Sequence, residues 1–174
     1  EAGMGAVERL WLKSYPKGVP ADIDYHQYES IVALLEEAFS KHSARPAYSC
    51  MGTTMSFRQL DESSAAIASW LQSKGFGKGT RVAIMLPNIL QYPVVLASVL
   101  RAGCTVVNVN PLYTPRELEH QLRDSGAKAM VVVENFAATL AQVIQHTPVE
   151  HVVTTQLGDL LPAPRRWMVN FVVK

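Results

Sequence analysis

Four short runs rich in β-branched residues recur at intervals of roughly 22 to 24 residues, and this rhythm constrains the fold more than any other feature of the chain. They are Arg81–Met85, Thr105–Val109, Lys128–Val133 and His151–Thr154. Each gap carries a helical pattern. Strands joined by a helix cannot return through a tight turn, so they align in parallel and the helices cross over the sheet faces. The crossovers are expected to be right-handed. The rhythm therefore predicts an α/β fold, with a parallel sheet between two helical layers.

The gaps support this in detail. Leu90 to Ala102 is a mostly apolar stretch ended by Gly103, and its composition predicts a helix buried on both faces. Pro93 would lose a hydrogen bond deep inside a helix, so this one bends there or starts nearer Gln91. Thr114 to Asp124 has a strong start signal: Thr114 at the cap, Pro115 at the first helical position and Glu117 three after the cap. Leu118 and Leu122 face inward, and Gly126 stops the helix. The third crossover is expected from about Phe136 to Gln145, with Phe136, Leu140, Val143 and Ile144 on one face.

Before the first strand of this rhythm the pattern is less regular. Residues 1–29 read as an N-terminal arm, with Trp11, Tyr15, Tyr25 and Tyr28 as surface anchors. Glu1-Ala2-Gly3 reads as a trimmed start or cloning scar, with Met4 a candidate first residue. Ser30 caps a helix with apolar positions Ile31, Leu34, Leu35, Ala38 and Phe39. Tyr48 to Thr54 reads as a hairpin around Met51-Gly52. Ser56 and Gln59 have capping-box spacing, and Met55 and Leu60 can form a hydrophobic staple. The helix that follows would bury Leu60, Ser64, Ile67, Ala68 and Leu71. Residues 30–158 thus form the expected α/β subdomain, and 159–174 an apolar tail. Six of the seven residues from Trp167 to Val173 are apolar. The tail is expected to pack against sequence beyond residue 174; a short amphipathic membrane or partner contact is the alternative.

Several function classes find no support. Sixteen basic residues face fifteen acidic ones and are scattered, so nucleic-acid binding lacks its electrostatic footprint. Cys50 and Cys104 are the only cysteines and read as small hydrophobes, which suits a cytoplasmic protein. No apolar run is long enough to span a membrane. Gly75-Phe-Gly-Lys-Gly-Thr80 follows a helix and precedes a strand, the reverse of a phosphate loop, and reads as a turn. His26, His42, His120, His146 and His151 have no metal-ligand spacing. One region is better placed for ligand contact: Asn108, Asn110, Pro111, Tyr113 and Thr114 lie where an open α/β sheet binds ligands. Tying down the strand-to-helix turn is the favoured role for the two asparagines, with direct ligand contact the alternative.

At these residues the chain resembles a known family. Arg81-Val-Ala-Ile-Met-Leu-Pro-Asn-Ile-Leu-Gln-Tyr-Pro-Val and Leu100-Arg-Ala-Gly-Cys-Thr-Val-Val-Asn-Val-Asn-Pro-Leu-Tyr-Thr-Pro are similar to bacterial long-chain fatty-acid–CoA ligases, which are adenylate-forming enzymes. Trp11-Leu-Lys-Ser-Tyr-Pro, Met55-Ser-Phe-Arg-Gln-Leu and Val169-Asn-Phe-Val-Val-Lys174 extend the likeness. The resemblance implies a truncated N-terminal subdomain of that fold. It implies a parent enzyme that uses ATP and Mg²⁺ to make an acyl-adenylate, releases pyrophosphate and passes the acyl group to CoA. The family's phosphate loop, its Thr-Glu pair and its C-terminal lysine are expected past residue 174. No catalytic, cofactor-binding or metal residue is therefore assigned within this chain, and the chain alone is expected to be inactive. Homodimerisation and peripheral association with the inner membrane face are further implications. The alternatives are a ligase for a shorter or aromatic acid and a non-catalytic binding module.

Overall fold

The computed structural model describes residues 9–173. The proposed scar and the Met4 start lie outside them, as does Lys174. The first helix, α1 (Ile31–His42), begins where the Ser30 side chain accepts a hydrogen bond from the Ala33 amide. A hairpin follows, β1 (Pro46–Cys50) and β2 (Thr53–Ser56). Its tip needs two left-handed residues, supplied by Met51 at φ 49° and Gly52 at φ 70°. The capping box of α2 (Phe57–Ser73) forms as expected: Gln59 N–H donates to Ser56 Oγ, and Ser56 N–H donates to Gln59 Oε1. Met55 and Leu60, the two staple residues, are buried in one cluster.

The regular part then alternates β3 (Arg81–Met85), α3 (Gln91–Arg101), β4 (Thr105–Asn108), α4 (Pro115–Ser125), β5 (Ala129–Val133), α5 (Ala137–Ala141) and β6 (His151–Thr155). The four strands form one parallel sheet in the order β4-β3-β5-β6. Side-chain alternation along β3 separates two cores. Val82 and Ile84 pack with Leu71, Val95 and Val99 of α2 and α3. Ala83 and Met85 pack with Leu118, Leu122 and Leu140 of α4 and α5. The result is the expected three-layer arrangement. All five residues of β5 are buried, as a strand covered on both faces requires. A third cluster, around Phe39, Leu60, Leu90 and Val94, fixes α1 and the hairpin to the outer side of α3.

Four details differ from the sequence expectations. The third crossover is broken: Glu134–Phe136 and Ile144–His146 are 3-10 turns flanking a short α5. Phe136 offers no capping side chain, and Val143 leaves helical geometry at φ −124°. The inward stripe survives, because Leu140 and Val143 are still buried together, with Phe136 and Ile144 against them. On α1 only Phe39 is buried, and Ile31 and Leu34 face solvent. In the arm, Trp11, Tyr15 and Tyr25 are exposed rather than seated. Tyr28 alone makes an anchoring bond, donating its hydroxyl to Glu37 at 3.1 Å. Pro93, by contrast, is accommodated as expected: α3 starts at Gln91 and puts it at the third position, where its missing N–H is one the first turn leaves unpaired anyway. Finally, the apolar tail forms a helix, α6 (Arg165–Val172).

Candidate functional site

In an open parallel sheet the ligand-binding edge is the carboxyl end of the strands, at the point where the strand order reverses. Here β3 leads to β4 on one side and the chain then returns to place β5 on the other, so the reversal lies between β3 and β5. Four loops converge on that edge, beginning at Leu86, Val109, Glu134 and Gln156.

The residues expected to be candidates sit on the loop after β4. Asn108 Oδ1 accepts from the Tyr92 hydroxyl at 3.0 Å, and its carbonyl accepts from Gln121 Nε2 at 2.9 Å. Asn110 Oδ1 accepts from the Leu112 amide at 3.0 Å, and its carbonyl from the Tyr113 amide at 3.1 Å. Thr114 caps α4, and Glu117 reaches back to the Thr114 amide and hydroxyl, each at 2.8 Å. Those bonds hold the Glu117 carboxyl below the usual glutamate range. Asn108, Asn110 and Thr114 are thus engaged in holding the turn, and Tyr113 packs against the core beside α4. Asn108 lies on the edge strand and is exposed, so it avoids the cost of burying an amide side chain.

A second polar group was not anticipated. Gln156, just past β6, is its hub. Its side-chain amide donates to Glu134 Oε2 at 2.5 Å and its Oε1 accepts from Asn170 Nδ2 at 2.8 Å. Its carbonyl accepts from Gln91 Nε2 at 2.8 Å. Asp159 closes the loop by accepting from the Gln156 amide at 2.8 Å and the Thr155 hydroxyl at 2.9 Å. Asn170 Oδ1 accepts from the Gly158 amide at 2.7 Å, which draws α6 onto the loop. A Cβ on Gly158 would stand 2.6 Å from Asn170 Oδ1 and 2.9 Å from the Arg166 carbonyl, so only glycine fits this approach. A cleft of about 240 Å³ lies between Glu134, Asn135, Gln156, Leu157, Asn170 and Val173. Two sequence signals could have found this cluster: Gln91 within an apolar helix, and Asn170 as the one polar residue from Trp167 to Val173.

The chemistry open to this edge follows from its charges and free donors. A nucleotide triphosphate needs unpaired backbone amides and cationic side chains. The amides of Gln156 and Gly158 are already taken, and the side chains beside them, Glu134 and Asp159, are acidic. No glycine-rich loop follows any of the four strands. Among the described residues no three His, Cys, Asp or Glu side chains gather into a metal-holding group. These residues do not fit ATP or Mg²⁺. The cluster is a clamp that fixes β5, β6, α3 and α6 to one another.

Two further titratable side chains are packed into the scaffold. Burial pushes the Cys104 thiol up, away from the reactive thiolate. His151 packs edge-on against Phe76 and Trp70. Gly75 and Gly79 take positive φ in the turn after α2, so the glycine-rich stretch is a helix stop and turn.

Comparison with known proteins accounts for an elaborate scaffold of this kind. Residues 35–173 match the family model described as AMP-binding enzyme. A long-chain-fatty-acid–CoA ligase of Yersinia pestis is 55% identical over 169 residues, covering 97% of this chain and 30% of its own length. A solved long-chain-fatty-acid–CoA ligase from Archaeoglobus fulgidus superposes with a TM-score of 0.65 at 27% identity, over 82% of this chain and 29% of the other. An anthranilate CoA ligase in complex with anthranoyl-AMP gives 0.70 at 22% identity over 74% and 25%, a likeness of fold alone. The chain therefore spans about 30% of the length of the curated relatives it matches. With its parallel sheet, its capped crossovers and this match over most of its length, the chain belongs to the AMP-binding enzyme family.

Proposed function

We propose that the protein carrying this chain is an ATP-dependent long-chain fatty-acid–CoA ligase, and that residues 30–158 form part of its nucleotide-activating domain as scaffold. The observation that carries this is the 55% identity to a ligase of that name across 97% of the chain. A carboxylate oxygen is a poor leaving group. Transfer of the acid to AMP makes it a good one, and the CoA thiol can then displace AMP to give the thioester. ATP with Mg²⁺ supplies that activation when bound. The residues described above hold the sheet and its strand-end loops in place, and no chemical step is assigned to them.

The setting follows the same reading. Fatty acid and CoA are the partners, the cytoplasm is the compartment, and homodimerisation and contact with the inner membrane face are extensions of it. No helix among the described residues is long and apolar enough to cross a membrane.

The test is a product assay on the full-length enzyme with ATP, Mg²⁺, CoA and acids of graded chain length. Thioester formation favouring long-chain acids is expected. Preference for a short or aromatic acid, or no acid-dependent release of AMP, contradicts the assignment.

A further inference from the structure

We draw no further inference here: the strongest candidate, the apolar cleft between β1 and the loop leading into α3, lined by Tyr48, Cys50, Ile89, Leu90, Tyr92 and Pro93, belongs to a chain spanning about 30% of its relatives' length, and nothing in the structure shows what covers it.

Discussion

Helices α3 and α6 are both apolar stretches with a polar amide side chain tied to the same loop, yet only one is enclosed. Gln91 of α3 and Asn170 of α6 each bond to Gln156. Along α3, Val94 and Ala97 face the hairpin cluster while Val95 and Val99 face the sheet, so apolar side chains are absorbed on two sides. Along α6 the protein is met through Asn170 and, at the first residue, through Arg165, which donates to the Gly52 carbonyl at 3.4 Å, and none of the helix's residues is buried. Apolar composition alone therefore does not say which face of a helix is inside. In α6 the single uncharged polar residue, Asn170, marks an inward side.

The sharpest way to break this contrast is a charge in each helix. Val99→Asp places an unpaired carboxylate where no solvent reaches, and should cost about 4 kcal/mol or more, enough to unfold the domain in a urea titration. Phe171→Asp should leave the unfolding midpoint nearly unchanged, within about 0.5 kcal/mol. A large loss at Phe171 would mean that α6 is as integral as α3.

Asn170→Ala tests the clamp between these extremes. It orphans the Gly158 amide and releases α6, with an expected local cost of about 1–3 kcal/mol. Hydrogen exchange over residues 165–172 should accelerate while the β3 and β5 amides stay protected. Uniform acceleration across the sheet would show that α6 supports the whole core.

The smaller effects belong to the turn before α4. Thr114→Ala should cost about 1 kcal/mol in chemical denaturation, since it removes the cap. Glu117 is held below the ordinary glutamate range by its bonds to Thr114. Its folded value lies under its unfolded one, so its stabilisation is present above the unfolded pKa and is lost as pH falls through the folded value. An NMR titration should find Glu117 ionising below a free glutamate, and the difference should vanish in Thr114→Ala.

Much of the layered fold could be read from residues. The strand rhythm, the capping pairs Ser56–Gln59 and Thr114–Glu117, and the stop at Gly126 are local signals with local causes, and the structure carries each of them. The break in the third crossover was illegible because the inward stripe of Leu140 and Val143 is satisfied by a bent segment as well as by a straight helix. The arm misled because Trp11 and Tyr25 are large and apolar, and size suggested anchoring where the chain leaves them exposed. The clamp escaped because its members lie far apart in sequence: Gln91, Glu134, Gln156 and Asn170 meet only once α3, β5, β6 and α6 are assembled.

We propose that the strand-end loops after β4 and β6 are taken up by their own hydrogen bonds and hold no nucleotide. Titrating ATP with Mg²⁺ into the ¹⁵N-labelled chain tests it directly. Unshifted amides at Gln156, Gly158 and Asn110, with any affinity weaker than about 1 mM, are predicted. Saturable shifts at those amides at micromolar ATP would contradict it.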